Sequence, residues 1–301
     1  MMNWLIIIIL AYFFFAVADF CNKFVLAGPP SPKIYTFWAG ALSALAVVLI
    51  PFVEFSIPQI NQLILAILAG IVYIIALFYF YTALEKFEAS RVSPAIGGML
   101  PVFTLVLSFL FLKEDFSFSA QKTIALALLL IGSVLINWQK EKGFSKDSLK
   151  ITSVAALFFA LYFVLAKLVF LNQPFRQGFI WTRVGGLIPA IFLLFQKDVK
   201  IKVFHGQSGF SKSLGKIFLF AQTAGAGATI LQNWAVSLAP SANLAIINAL
   251  QGIQYVFLFL LVVVFSFKFP NILKEEITKP ILIQKIFSIL LIAFALALIV
   301  M

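Results

Sequence analysis

With 63% hydrophobic and only 11% charged residues over 301 positions, and a mean hydropathy of +1.08, the chain falls far below the charge of about a quarter that a water-soluble domain needs. A soluble enzyme is thereby excluded, and most of the surface must meet a non-aqueous solvent. The formal charge of +11 does not make nucleic acid an expected partner, because Lys and Arg gather in short breaks between apolar runs, where they set topology and meet lipid headgroups.

Ten apolar runs are long enough to cross a hydrocarbon core of ~30 Å as helices: about 4–25, 34–53, 62–84, 90–112, 120–138, 151–171, 179–195, 214–237, 241–267 and 281–300. The first run lacks a basic leader segment, is too long for the core of a signal peptide, and leads into further spans, so it reads as a span. It is apolar from Trp4 onward but carries Asp19, Cys21, Asn22 and Lys23 near its end. An intramembrane carboxylate is costly and marks a candidate site. Tyr12, Asp19 and Lys23 are spaced by seven and four, which places them on one helix face. Asp19 is thus expected to bind a substrate's amino group or carry a coupling proton, against the simpler reading of a local pair with Lys23. Cys21 is the single cysteine and His205 the single histidine, so no disulfide, metal site or cofactor is expected.

Further along, the third span contributes Tyr73 and Tyr81, and the sixth Tyr162. In the fourth, Ser93, Gly97, Thr104 and Ser108 share a stripe, and Gly97, Gly98 and Pro101 form a candidate hinge, since Pro101 leaves a backbone carbonyl unbonded. The eighth span aligns Gln222, Thr229 and Asn233 around an AGAGA segment (224–228) suited to close backbone packing; the ninth aligns Asn248, Gln251 and Tyr255. Polar groups inside spans face a cavity or a neighbouring helix. Lys167 and Arg183 lie in the outer thirds of their spans and read first as snorkelling side chains. Trp4, Trp38, Trp138 and Trp181 lie near span ends, as an interfacial aromatic belt would place them.

If the spans alternate, one set of loops carries Lys33, Lys86, Arg91 and most of the remaining lysines, including those of 139–150, 196–213 and 268–280, while the other set has only Lys113, Lys122 and Arg176. The positive-inside rule then puts both termini outside and the large basic loops in the cytoplasm, for a multi-pass protein of the cytoplasmic membrane. An internal repeat accompanies this pattern. Residues 82–110 lie over 234–262, 120–137 over 283–300, and Ala16 and Lys23 over Ala160 and Lys167. Each half has five spans, an odd number, so the second enters the membrane inverted, as in many transporters. The expected fold is all-α, with ten transmembrane helices in two inverted five-helix repeats (1–138 and 151–301, joined by a basic linker at 139–150) around a central cavity.

Ala83 and Ala89, then "SRVSPAIGGMLPVFTLVLSFLFLKED" with Pro101 in mid-helix and Glu114 at the close, follow the pattern A-x5-A-x11-P-x12-E. This resembles the EamA branch of the drug/metabolite transporter superfamily. The resemblance implies ten helices in two inverted bundles, a cavity lined by the first, third, fourth, sixth, eighth and ninth, and transport of small metabolites, exporters of amino acids, notably aromatic ones, being among the family. The second half departs from the pattern, with Ile253 and Ser266 over Pro101 and Glu114. The expected function is a secondary transporter, not an enzyme, that exports a small amphipathic solute such as an amino acid. The alternatives are a channel-like facilitator, an importer of a sugar- or nucleoside-type solute, and a non-transporting scaffold. Expected partners are that solute, membrane lipids and protons as a coupling ion, with the chain a monomer or weak dimer.

Overall fold

The structure, a computed structural model, describes residues 3–25, 31–53, 56–87, 89–112, 120–137, 146–204, 212–266 and 279–300. No strand occurs among them. The helices are α1 (Asn3–Val25), α2 (Pro32–Ser43, continued as a 3-10 turn over Ala44–Phe52), α3 (Ile60–Lys86), α4 (Ala89–Leu112), α5 (Ala120–Asn137) and α6 (Lys146–Asn172). Then follow α7 (Phe175–Gly185), α8 (Leu187–Leu194), α9 (Lys197–Phe204), α10 (Lys212–Leu238), α11 (Leu244–Ala249), α12 (Gly252–Ser266) and α13 (Lys279–Val300).

Among the described residues, seven helical stretches are long and apolar enough to cross a membrane. They contain α1, α2, α3, α4, α6, the α7–α8 pair and the α11–α12 pair; α5 and α13 carry shorter apolar stretches. With this helix content the chain is a multi-pass helical membrane protein. Apolar side chains cover the outside as well as the core. Ile6, Phe13 and Phe14 on α1, and Val106, Phe109 and Leu110 on α4, are exposed, as expected where the solvent is lipid.

The buried faces are built from small residues. Ala11, Ala66, Ala69, Ala155, Ala156, Ala160 and Ala235 are fully buried in one cluster, and small residues let membrane helices approach closely without a hydrophobic drive between them. A very close approach joins α3 and α7. A Cβ added at Gly70 would overlap the Thr182 carbonyl oxygen, and one at Gly185 would overlap the Ile67 carbonyl oxygen and stand 2.7 Å from the Ile67 Cα. The AGAGA segment does not play the expected part: Gly225 would meet only the Ala18 Cβ, at 3.8 Å, and Gly227 nothing within 4 Å.

Two spans are broken where local chemistry demands it. Pro189 lacks the N–H that would bond the carbonyl four residues earlier, at Gly185, and the seventh span divides between α7 and α8 at Gly185–Gly186. The ninth span, expected to run as one helix, divides at Leu250–Gln251. There Gln251 N–H bonds Asn248 O at 3.2 Å and Gln254 N–H bonds Gln251 O at 3.0 Å, tight i to i−3 bonds that advance the helix phase. By contrast α4 runs unbroken through Pro101.

The main packing partners are α1 with α10 and α12, α3 with α6 and α7, α4 with α6 and α11, α5 with α13, and α2 with α8. At one end of the molecule Lys33 pairs with Asp198 of α9 at 3.3 Å, both exposed. The pair ties two basic segments to the same side, though an exposed pair adds little stability. The Trp4 side chain is buried against neighbouring helices; Trp138 lies outside the described residues.

Candidate functional site

Polar side chains inside the spans gather into two groups linked by tyrosines of α3. The first surrounds Asp19. Its half-buried carboxylate accepts a hydrogen bond of 2.6 Å from Gln254 Nε2 on α12. Tyr35, Tyr81 and Tyr255 lie within electrostatic reach of it, and the Tyr35 and Tyr81 rings meet edge to face at 4.9 Å. Gln254, not Gln251, is the glutamine that faces α1. Gln251 sits in the turn between α11 and α12, because the phase advance at Leu250–Gln251 rotates the next turn. The Lys23 side chain, the alternative partner of Asp19, lies outside the described residues, as do the Ser93 side chain and Glu114.

Deeper along α1, Tyr12 donates to Ile247 O at 2.7 Å. Asn248, on the same short α11, donates to Thr104 Oγ1 on α4 at 2.8 Å, while its own Oδ1 is buried with no partner among the described residues. Thr104 in turn bonds Leu100 O at 2.8 Å. Tyr255 packs its ring over Gly97, whose added Cβ would lie 3.0 Å from the Tyr255 hydroxyl; Gly98 faces Val134 of α5, and Pro101 is buried. The predicted residues Tyr12, Thr104, Asn248 and Tyr255 therefore meet where α1, α4, α11 and α12 converge.

The second group centres on Arg183, which does not snorkel: it is 5% exposed. Its guanidinium carbon lies 4.6 Å from the Tyr73 ring centre, 5.1 Å from Phe179 and 5.7 Å from Tyr162. Such distances allow cation–π attraction. One hydrogen bond leaves the guanidinium, from Nη2 to the Tyr162 hydroxyl. Tyr162 donates to Asn233 Oδ1 at 2.7 Å, and Asn233 donates to Thr229 O at 2.9 Å. The expected residues Tyr73, Tyr162 and Asn233 thus converge, but around a cation that its sequence position did not mark as central. Gln222 is half-buried on α10, about two helix turns before Thr229 and three before Asn233.

Backbone packing fixes Arg183 in place. Gly70 allows α7 to touch α3, and Tyr73 lies one turn further along α3, against the guanidinium. The Ser43 hydroxyl of α2 bonds Arg183 O at 2.9 Å as well as Gly40 O at 2.7 Å.

Lys167 also fails to snorkel, at 3% exposure, and has a different role. Its Nζ bonds Val236 O at 3.1 Å, Ser237 O at 3.3 Å and Ala239 O. These carbonyls close the C-terminal end of α10, where a cation satisfies orphan acceptors and the helix dipole together. Its charge is engaged in structure. Among the described residues no cluster of three or more His, Cys, Asp or Glu could hold a metal ion.

No curated protein matches the sequence. A solved crystal structure is similar over 97% of this chain and 94% of its own, with a TM-score of 0.66 at 14% identity; that likeness concerns the fold alone. The profile of the EamA-like transporter family matches residues 2–138, the segment that holds Ala83, Ala89, Pro101 and Glu114.

Proposed function

We propose that the protein is a secondary transporter that moves a small amphipathic metabolite, such as an amino acid, out across the cytoplasmic membrane by alternating access. The carrying observation is the column of polar groups, half-buried at Asp19 and buried beyond it, from Asp19 and Gln254, past Tyr12, Thr104 and Asn248, to Tyr162, Asn233 and Arg183. Membrane helices that only pack against each other have little use for so many amides, hydroxyls and charges.

Two inverted five-helix halves are the architecture that goes with this reading. The contact pattern supports it: exchanging α1 with α6, α3 with α10, and α4 with the α11–α12 pair turns the α1–α10 contact into α3–α6, and α1–α12 into α4–α6. The substrate would bind between the halves near the midplane. Gly97, Gly98 and Pro101 remain the hinge on α4. The lopsided lysines argue for basic loops in the cytoplasm and both termini outside.

Thiol access tests the reading. In a Cys21→Ala background, Thr104→Cys should react with a membrane-impermeant reagent added outside intact cells and also with the same reagent added to inverted vesicles. A reference cysteine in the 139–150 loop should react only in inverted vesicles. A Thr104→Cys variant that reacts from neither face would mark the column as sealed core; loop labelling in intact cells would reverse the orientation.

A further inference from the structure

We propose that Arg183 is the anion-recognition point of the transport site, and that the solute carries a carboxylate which bridges Nε and Nη2 of its guanidinium. The proposal rests on the transporter reading and deepens it by naming the charged group the substrate must have.

A guanidinium has five N–H donors; that of Arg183 makes one hydrogen bond among the described residues, through Nη2 to Tyr162. Its Nε has no partner among the described residues, and the side chain is only 5% exposed. No carboxylate of the described residues pairs with it, and its other near neighbours are the rings of Tyr73, Tyr162 and Phe179. Rings stabilise a cation but do not neutralise it. A buried, uncompensated charge is retained where it has a task.

The geometry of this edge is specific. Nε–H and one Nη2–H point from the same edge of the guanidinium plane, and two parallel N–H groups match the two oxygens of a carboxylate. The Nε prong of this fork is idle among the described residues, and Nη2, which carries two N–H groups, spends one on the neutral Tyr162 hydroxyl, for which a carboxylate is the stronger acceptor. A single cation also limits the charge of the ligand. The other buried cation among the described residues, Lys167, is spent on the end of α10, so a phosphate dianion would lack the second positive group it needs. A carboxylate with an apolar or aromatic body fits the surrounding rings.

The test uses the full-length purified protein in detergent and pairs of compounds that differ only in the charged group: benzoate with benzamide, 3-phenylpropionate with its amide, L-phenylalanine with its amide. Binding to the folded state raises the melting temperature by mass action. At least one carboxylate should raise it while the matching amide does not. Arg183→Lys, which keeps a charge but loses the fork, should weaken carboxylate binding about tenfold, and Arg183→Gln about a hundredfold, in line with charged hydrogen bonds. If the glutamine variant fails to fold, the lysine variant carries the comparison. No stabilisation by any carboxylate, or equal affinity in the wild type and Arg183→Lys, overturns the proposal. The two readings fail separately: transport of neutral solutes without carboxylate binding defeats the anion site alone. Carboxylate binding through Arg183 without solute flux defeats the transporter reading and leaves the site.

Discussion

Gly70→Ala should leave little folded protein, whereas Gly227→Ala should fold as well as the wild type or slightly better. Both changes add one methyl group to a helical glycine inside a span. At Gly70 the new carbon would overlap Thr182 O and sit 2.7 Å from Gly186 N. These are backbone atoms of α7 and its break, so no rotamer change relieves the overlap; α7 must separate from α3. That separation also withdraws Arg183 from Tyr73 and strains the Ser43 bond to Arg183 O. Overpacking of this kind costs about 3 kcal/mol or more, a large part of the roughly 5–15 kcal/mol that holds a protein together. Gly227 has nothing within 4 Å of an added Cβ, so alanine there only removes chain entropy, a gain of about 0.5–1 kcal/mol. Monodispersity on size exclusion and the melting temperature in detergent check both variants. A Gly70→Ala protein that melts like the wild type would mean α3 and α7 do not touch.

Asp19→Asn should fold normally and lose transport by about ten- to a hundredfold, the scale of one charged hydrogen bond. Asparagine keeps an oxygen to accept the 2.6 Å bond from Gln254, so shape and pairing survive while the charge goes. Asp19 lies fifteen residues from Trp4, ~22 Å along the helix at 1.5 Å per residue, and still within the apolar stretch Asn3–Cys21. A charge retained there at a desolvation cost must meet something in the substrate or its coupling ion. Loss of dependence on a pH gradient with residual flux would assign Asp19 to proton coupling; loss of solute affinity would assign it to an amino group. Unchanged transport would reduce the residue to a structural partner of Gln254.

The helix content and the polar faces were legible in the chain because both depend on local pattern. Apolar runs of spanning length are visible without any contact, and Tyr12 and Asp19 share a face by spacing alone. Legibility failed where tertiary contact or a change of helix phase decided the outcome. A continuous helix over 241–267 puts Gln251 on one face with Asn248 and Tyr255, but the break at Leu250–Gln251 places Gln251 in the turn, and it is Gln254 that reaches Asp19. The adjacent Gly252 was the signal that the phase could shift there. Arg183 looked like a snorkelling residue because it lies near the end of a span. Yet Pro189 breaks that span just beyond it, and Gly70 with Gly185 draws its helix inward. Lys167 looked the same in sequence, but the carbonyls it caps belong to α10, some seventy residues away. Position along a span does not tell a lipid-facing cation from a buried one; the glycines that let a neighbour approach do.

The central claim, that this polar column carries a solute across the membrane, is tested most directly by counterflow. Proteoliposomes containing the purified protein would be loaded with an excess of unlabelled L-phenylalanine or another carboxylate that raises the melting temperature, then diluted into a trace of the same labelled compound. A carrier with one site opening to each face in turn should accumulate label transiently above equilibrium. Its initial rate should saturate with concentration and fall about ten- to a hundredfold in Asp19→Asn. Flux that rises linearly with concentration and shows no overshoot would mark an open channel, and label that never exceeds that of protein-free liposomes would contradict transport of that solute altogether.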